Sequence, residues 1–472
     1  MNSQTARRPD NKRPARSQKP KNYRKQTARF EGNRDGKPLA FGWGGHLSHS
    51  QKVQIQRRAT WITAISIMAL IVLVIVGFWV NINVITPNLA ITSVDGHPVP
   101  QSLYRKMVAF KTQLAQSNIN GPNGEIALRI SLQKQITAMQ QSGQATVKQI
   151  TALNKQIAAL KAGPSPKRTD LEKQLKTAQT LINSLQTKFA ALNQQFSDLT
   201  KTIIPQDQTN INQSQIGNES VTWLQNDELI RAWLVTQNSH VQAQVNPSSR
   251  ALSQAMAAFK ANIPKTSSYS AFLSKDNVSD GDMQAMMTIK LRRDNMQTYL
   301  ASHIVSPSYQ VLARMMTIDT LQHAEKFLNQ LKHGGDFGKL AKANSVDNQT
   351  AVKGGSLGWL AYGQYAQDYT AANVEMWLFN PARTIGELGP IIKENGTFRI
   401  VQLMMVDPSR VVDASTLQTL KSSALTNWLT EQQALPGTVI TPVDQNKLLD
   451  PMNLPPDLPL AAPAAPTAVP TA

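Results

Sequence analysis

The side chains that could carry chemistry in this 472-residue chain are few and scattered. The chain has no cysteine, which excludes disulfide frameworks, thiolate metal sites and cysteine nucleophiles. The glycine-rich turn Gly354-Gly355 lacks the lysine of a phosphate-binding loop. The spacing of the seven histidines does not indicate a metal site, so we expect neither a metal nor a cofactor. These histidines are His46, His49, His97, His240, His303, His323 and His333.

The glycine-rich turn lies in a segment whose pattern differs from the rest of the chain. From Pro307 the sequence runs as an apolar strand (YQVLARMMT), two amphipathic helical pieces around Gly334-Gly335, the turn GGSLGW, a further helix and a closing strand (GTFRIVQLMMV). This order predicts a small α/β domain of about 100 residues at 306–410.

Residues 333–369 of this domain carry a specific motif. The stretch resembles the parvulin-type (PpiC) peptidyl-prolyl isomerases, in particular the extracytoplasmic foldases of the PrsA, SurA and PpiD kind, whose pattern is G-x-D-F-x-x-L-A-x-x-x-S-x-D followed by G-G-D-L-G-W. The resemblance implies a parvulin fold at 306–410 and, more loosely, a chaperone module formed by 83–125, 205–305 and 411–434. The matching positions are Asp336, Phe337, Leu340, Ala341, Ser345, Asp347, Gly354, Gly355, Leu357, Gly358 and Trp359.

The family's two histidines are absent from this chain. The position on the first strand, twenty-two residues before Phe337, holds Met315, and the position on the last strand holds Arg399. His303 is a poor substitute because it lies thirty-four residues before Phe337, at the predicted end of a helix. Methionine offers no useful donor and arginine is a permanent cation, so neither reproduces a histidine network.

The other family positions are retained or replaced by aromatic residues. The resemblance implies that Asp347 is the acidic catalytic position and that Leu357, Tyr365 and Tyr369 line the proline-binding pocket. Simple core packing is the alternative for Leu357 and the two tyrosines, and a helix-end or turn role is the alternative for Asp347.

The chemistry of this family tolerates such losses. Rotation about an X-Pro bond meets a barrier of about 18–20 kcal/mol that arises from amide resonance, and no covalent bond is broken. A site lowers the barrier by holding the twisted state and by excluding water, so no nucleophile is obligatory. We therefore expect weak or absent isomerase activity with substrate binding retained.

One apolar segment predicts a membrane helix. Residues 61–80 contain no charge over twenty positions, which at about 1.5 Å per residue spans the hydrocarbon core of a bilayer. Arg57 and Arg58 precede it, and the next charge is Asp95, so the positive-inside rule places residues 1–58 in the cytoplasm. We expect an uncleaved single-pass anchor at 59–82, with the remainder of the chain outside the cell membrane.

The N-terminal tail is strongly basic. Residues 1–58 hold 15 basic and 3 acidic residues, or +12 of the total of +19, and almost no large aliphatic side chains. We expect this tail to be disordered and to contact anionic lipid. Nucleic-acid binding would use the same charges and is the less favoured interpretation.

Residues 126–204 show a 3.5-residue apolar period in two arms. Apolar positions from Leu171 to Ile203 alternate three and four residues apart, a weaker version precedes Leu160, and the stretch 161–167 cannot continue a helix. The pattern predicts an antiparallel coiled-coil hairpin inserted into the helical module. The arms pair with each other, or else one of them pairs with a partner helix.

The complete interpretation is an α+β chain with a single-pass membrane helix, a helical chaperone-like domain, an inserted hairpin and a small parvulin-like domain. Residues 435–472 are rich in proline and alanine and are expected to be extended or disordered. The predicted function is a membrane-anchored foldase that binds unfolded, proline-containing secreted polypeptides. The alternative is a non-catalytic scaffold that docks to an envelope partner through its hairpin.

Overall fold

The computed structural model describes residues 49–160 and 163–459. Most of the basic tail expected to be disordered, residues 1–48, and the end of the Pro/Ala-rich tail, residues 460–472, lie outside the described residues. The described residues divide into two units, one that ends at Gly77 and one that begins at Phe78.

The apolar segment is part of a long helix. The continuous helical stretch at residues 53–88 is long and apolar enough to cross a membrane. The helix begins at His49, so residues 49–58 are helical rather than disordered as expected. They contain neither glycine nor proline, and a helix extends readily through Gln, Lys and Arg once it is nucleated. The elements here are α1 (His49–Val80), a π-helical stretch (Asn81–Ile85) and α2 (Thr86–Asn88).

A small β-hairpin follows. Asp95 and Gly96 both have positive φ, 49° and 80°, as a two-residue hairpin turn requires. The strands pair antiparallel, with Val94 opposite His97. The elements are β1 (Ala90–Val94), β2 (His97–Pro100) and the helix α3 (Gln101–Asn120).

Two long helices pack against each other in opposite directions. Leu132 clusters with Leu199 at one end, and Leu153 clusters with Leu171 and Ala178 at the other. Ser165 caps the second helix, its side chain accepting from the backbone N–H of Arg168 at 3.3 Å. The helices are α4 (Glu125–Ala158) and α5 (Pro166–Asp198), followed by a π-helical stretch (Leu199–Ile203) and α6 (Ile204–Asn210).

Five further helices build the main helical core. Its centre combines Ile91 and Val99 of the β-hairpin with Tyr104 and Phe110 of α3, all of them almost completely buried. The remaining side chains come from α3, from α7 and later helices, and from the C-terminal segment. These helices are α7 (Gln213–Val235), α8 (Ser239–Val245), α9 (Ser249–Ala261), α10 (Tyr269–Lys275) and α11 (Asp280–His303).

The segment 306–410 folds around a four-stranded antiparallel sheet in the order β4-β3-β6-β5. Because successive side chains alternate, Met316 and Ile400 contribute to the core on one face, and Met315 and Val401 contribute to the core on the other. The strands are β3 (Ser308–Ile318), β4 (Ser356–Ala361), β5 (Ile392–Glu394) and β6 (Thr397–Arg410). The helices are α12 (Leu321–Lys332), α13 (Phe337–Asn344), α14 (Asn348–Ala351), α15 (Gln364–Tyr369) and α16 (Asn373–Leu378).

The glycine-rich turn is required by a close backbone approach. Gly355 has a φ of +83°, and a Cβ at this position would lie 2.5 Å from the carbonyl oxygen of Met315. The backbone N–H of Met315 donates to the carbonyl oxygen of Gly355 at 2.7 Å. Only glycine permits both the positive φ and this contact.

The C-terminal segment corrects one expectation. Residues 435–459 are not disordered: the N–H groups of Asp95 and Thr441 donate to the carbonyl oxygens of Val439 and Ser93 at 2.8 and 3.0 Å. Leu448 is fully buried in the helical core. The prolines leave room for extended pairing at a sheet edge, and the intervening leucines supply apolar burial. The last helices are α17 (Ala414–Ser422), α18 (Ala424–Ala434) and α19 (Gln445–Leu448), with a 3₁₀ turn (Pro451–Asn453).

Helix α18 contacts both the helical core and the sheet domain. The Asn427 amide donates to the carbonyl oxygen of Gly363 at 2.9 Å. Gly363, whose φ is +90°, donates its own N–H to Oε1 of Glu375 at 2.5 Å, and the N–H of Ala366 donates to Oε2 at 3.2 Å. Burial raises the pKa of Glu375 to about 7.

We predict that Glu375 makes stability depend on pH. Its pKa is raised on folding, so its contribution is fully present below about pH 4.5 and is lost as pH rises through about 7, an effect on the order of 3 kcal/mol. Glu375→Gln, which mimics the protonated acid, should remove this component from thermal unfolding curves recorded between pH 5 and 8. Glu325→Gln, an exposed control on α12, should leave the curves unchanged. Identical pH profiles for wild type and Glu375→Gln would refute the prediction.

Candidate functional site

The structure brings the residues predicted for the site to one face of the sheet. Arg399 on β6 lies directly opposite Thr317 on β3, and Met315 lies two residues earlier on the same face. Tyr365 and Tyr369 extend from α15, which covers this face, and Leu357 of β4 packs against the same cluster. The residues therefore share a site.

The two tyrosines form a stacked pair. Their ring centres are 4.5 Å apart and the rings are inclined by 21°. The Tyr365 hydroxyl donates to Oε2 of Glu394 at 2.7 Å and lies 3.5 Å from Sδ of Met315. The Tyr369 hydroxyl donates to Oδ2 of Asp347 at 3.1 Å. Burial, with the neighbouring carboxylates, raises the pKa of both phenols well above its usual range, so both remain neutral donors.

This pairing corrects the expectation for Tyr365. Its side chain is completely buried, so Tyr365 cannot contact a substrate in this conformation. Tyr369 and Leu357 are half-buried and retain exposed surface. Tyr365 is therefore part of the core beneath this face, and Tyr369 and Leu357 are the members of the expected shelf that keep exposed surface.

Glu394 is the central polar residue of the site, and the sequence analysis missed it. It is 4% exposed, Oε1 accepts from the N–H of Val374 at 2.8 Å, and Oε2 accepts from Tyr365. The sequence carries only an indirect signal, the Asn395-Gly396 turn that follows. A turn does not reveal that the preceding glutamate points inward.

Arg399 supplies the positive charge for this carboxylate. Its Nε lies 3.9 Å from Oε2 of Glu394, its Nη1 donates to the hydroxyl of Thr317, and its guanidinium carbon is 5.4 Å from the centre of the Tyr369 ring. Arg399 is 6% exposed. A buried carboxylate needs such a partner, and the adjacent aromatic face is favourable for a cation.

The side chain of Asp347 forms hydrogen bonds at the start of α14. Oδ1 accepts from the N–H of Gln349 at 3.1 Å at the start of α14, and Oδ2 accepts from the hydroxyls of Thr350, at 2.8 Å, and Tyr369. The turn role considered from the sequence is therefore present. Its direct link to the pocket runs through Tyr369.

Two other residues with possible chemistry do not join the site. The ring centre of His303, at the end of α11, lies 4.5 Å from that of Tyr299 with the rings inclined by 53°, and its Nδ1 lies 2.7 Å from the Tyr299 carbonyl oxygen. Ser356 stands in G-x-S-x-G spacing at 354–358, a match that the sequence analysis did not use. It begins strand β4 instead of occupying a strand-to-helix turn, so it lacks the geometry of a nucleophile elbow.

No metal site accompanies these residues within 49–160 and 163–459, where no group of three or more His, Asp or Glu side chains could hold an ion. The polar network of Glu394, Arg399, Tyr365, Tyr369 and Asp347 consists of two neutral phenols, the Glu394–Arg399 ion pair and the Asp347 carboxylate. Both oxygens of Asp347 and both oxygens of Glu394 accept hydrogen bonds, so neither carboxylate is an unpartnered base.

Comparison with known proteins places this domain in a family. The model for the PPIC-type PPIASE domain matches residues 284–404, which include β3, β4 and most of β6. Three curated relatives illustrate the similarity.

The periplasmic chaperone PpiD of Buchnera aphidicola subsp. Schizaphis graminum is 32% identical over 91 residues, 19% of this chain and 13% of the relative. The foldase protein PrsA of Exiguobacterium sibiricum is 37% identical over 60 residues, 13% of this chain and 20% of the relative. The chaperone SurA of Nitrosococcus oceani is 28% identical over 129 residues, 27% of this chain and 28% of the relative. The similarity thus spans less than a third of each of these proteins. The chain therefore carries a parvulin-type (PpiC) peptidyl-prolyl isomerase domain that is homologous to those of the PpiD, PrsA and SurA chaperones.

Proposed function

We propose that this chain is a membrane-anchored, extracytoplasmic foldase whose parvulin-type domain binds proline-containing segments with little or no isomerase activity. The observation that carries the proposal is the Tyr365–Tyr369 pair, which fills the expected pocket next to the Met315 and Arg399 substitutions. The relatives are named chaperones and a foldase, which supports the same class of function here.

The isomerase step is expected to be slow for a physical reason. Catalysis requires a site that binds the twisted X-Pro bond more tightly than the planar one. A ring entering this pocket would have to displace Tyr365 from Glu394 and leave a buried carboxylate without that hydrogen bond, at a cost of about 1–3 kcal/mol. Binding energy would be used to open the site, so the catalytic effect is reduced.

The membrane topology belongs to the same proposal. The helical run 53–88 has the length and composition of a single-pass anchor, and the basic residues lie on its N-terminal side. We propose a cytoplasmic N-terminus in contact with anionic lipid and an extracytoplasmic position for the bulk of the chain. The name "periplasmic chaperone" of the Buchnera relative is compatible with that position.

We assign the binding of unfolded client polypeptides to the hairpin of α4 and α5. Each arm of 34 or 33 residues is about 50 Å long. We propose that residues 126–204 form an antiparallel coiled coil inserted into the helical module, which supplies a long, largely polar arm around an unfolded polypeptide. A second candidate, a non-catalytic scaffold, is favoured by the same closed pocket. In that case the hairpin docks to one envelope partner.

We predict that restoring the family histidines alone will not restore isomerase activity. Met315→His with Arg399→His returns the histidines but leaves the tyrosine pair in place, so the rate of a proline-limited refolding reaction should remain near the uncatalysed rate. Adding Tyr365→Met and Tyr369→Phe opens the pocket, and kcat/KM should rise at least tenfold, a change of about 1.4 kcal/mol in the barrier. The assay uses the full chain in nanodiscs.

Tyr365→Phe with Tyr369→Phe is the matched control, because it keeps both rings and should not activate the enzyme. Thermal unfolding of each variant checks that the fold persists. A wild-type chain as active as an intact PrsA, or full activity from the two histidines alone, would contradict the prediction.

We predict that shortening the hairpin weakens client holding. Gly143 lies opposite Ile182, so replacing residues 144–181 by a short Gly-Ser turn keeps the register of the remaining arms and the cluster around Leu132 and Leu199. The shortened chain should suppress aggregation of a refolding client several-fold less than wild type at equal concentration, measured by light scattering. Unchanged suppression, together with loss of one stoichiometric partner in a pull-down, would favour the scaffold.

A further inference from the structure

The positive charge of the chain after residue 58 is concentrated in the hairpin of α4 and α5. Residues 126–204 hold eleven basic and three acidic residues, a net charge of +8. Residues 59–125 and 205–472 together carry a net charge of −1. Charge of one sign confined to one element produces a local field that attracts ligands of the opposite sign. The hairpin is therefore the cationic element of this part of the chain.

Three lysines of α4 form a row along its outer face. Lys134, Lys148 and Lys155 are exposed, and their separations of fourteen and seven residues keep them on one face of a coiled-coil helix. The row extends over about 31 Å, and each lysine lies two residues, or about 200° of rotation, before an isoleucine of the apolar seam between the arms. We call these three residues the lysine row. The isoleucines are Ile136, Ile150 and Ile157, which are buried or pack against buried residues of the hairpin.

Little negative charge offsets the lysine row. Helix α4 contains no acidic residue after Glu125, its first residue. Near the start of α5, Oε1 of Glu172 pairs with Nε of Arg168 at 3.0 Å. Oδ2 of Asp170 accepts from the side-chain amide of Gln174 at 2.9 Å. Within the described part of the chain, none of the three lysines forms an ion pair, so the row is available to an external anion.

The shape and composition of this surface limit the kind of anion. The outer face of a helix pair is convex, whereas small-molecule ligands bind in concave sites. Single-stranded nucleic acid is held by aromatic rings on which its bases stack, and the two aromatic residues of the hairpin, Phe189 and Phe196, are half-buried in the apolar spacing of α5. Lysine also lacks the planar fork with which arginine reads base edges.

A flat array of phosphate groups fits the lysine row. A straight row on the outermost line of a helix contacts a plane along its whole length. Lysines near an anionic lipid surface are attracted to its headgroups, and this attraction falls off within about 8 Å at physiological ionic strength. The three exposed lysines of the row can reach the headgroups together.

We propose that the lysine row binds the surface of an anionic lipid bilayer, with the hairpin lying along the headgroups. This inference rests on the proposed membrane anchor, which keeps such a surface close to the chain. It is a second lipid contact, separate from that of the basic tail, because residues 1–58 and 126–204 lie on opposite sides of the apolar helix in the sequence.

The test measures the approach of the hairpin to lipid. Because the chain has no cysteine, Gln141→Cys introduces a single thiol in the gap of the lysine row, seven residues after Lys134, and a fluorescent dye is attached there. The labelled full chain is reconstituted in nanodiscs that contain lipid with a nitroxide on its headgroup. We expect quenching of the dye to be about twofold stronger in discs with roughly 30% phosphatidylglycerol than in phosphatidylcholine discs at 0.15 M salt. The difference should disappear at about 1 M salt.

Substitution of the lysine row should abolish the difference between the two lipids. The variant combines Lys134→Gln, Lys148→Gln and Lys155→Gln, which preserve helix propensity, and thermal unfolding checks that the fold persists. A matched control removes the same charge from three exposed lysines outside the hairpin and should leave quenching unchanged. Its substitutions are Lys265→Gln, Lys332→Gln and Lys342→Gln.

The outcomes separate this inference from the proposed function. Equal quenching in the two kinds of disc, or a difference that survives substitution of the lysine row, would overturn the lipid contact. A dye that responds through these lysines to DNA or polyglutamate, and not to anionic discs, would overturn it in favour of a soluble polyanion. If the chain still suppresses client aggregation in either case, the foldase function stands. A chain that does not insert into nanodiscs would overturn the anchor and this inference together.

Discussion

A carboxylate buried beneath a helix must be fully compensated, and Glu394 imposes this constraint on the parvulin-type site. Its oxygens accept from a backbone N–H of α16 and a phenol of α15, and the guanidinium of Arg399 on β6 lies 3.9 Å away, which ties these elements to β5. Removing any one partner leaves a polar group in a region from which water is excluded. The tyrosine pair is therefore held in place by electrostatics as well as by packing.

This constraint explains how the histidine substitutions can coexist with an intact fold. Met315 contributes an apolar side chain to a core face, and Arg399 is retained by Glu394 and Thr317. At the two positions where the family pattern has histidine, the site holds an apolar side chain and a buried guanidinium.

Parts of this structure were accessible from the sequence because local rules determine them. Asp336 caps α13 by accepting from the N–H of Lys339 at 3.1 Å, and Gly355 occupies a position that only glycine can adopt. Leu153 and Leu171, two positions of the apolar spacing in the long arms, lie in one cluster. The inward orientation of Glu394 and the burial of Tyr365 were not accessible, because both depend on contacts between segments distant in sequence. The packed segment 435–459 was missed for a related reason, because its composition resembles that of a linker. Its order comes from contacts with a strand edge and a core that the beginning of the helical module supplies.

That last arrangement has a consequence for how the chain is made. Val439 donates its backbone N–H to the side chain of Asp95, which lies 344 residues earlier. The Tyr104 hydroxyl donates at 2.9 Å to the carbonyl oxygen of Leu448, which is also 344 residues away. The helical module cannot close until the ribosome has released nearly the whole polypeptide, whereas the contiguous stretch from β3 to β6 is complete much earlier. A nascent or prematurely terminated chain would thus present an open apolar core next to a finished parvulin-type domain. The protein's own biogenesis creates the kind of exposed surface that holding chaperones recognise.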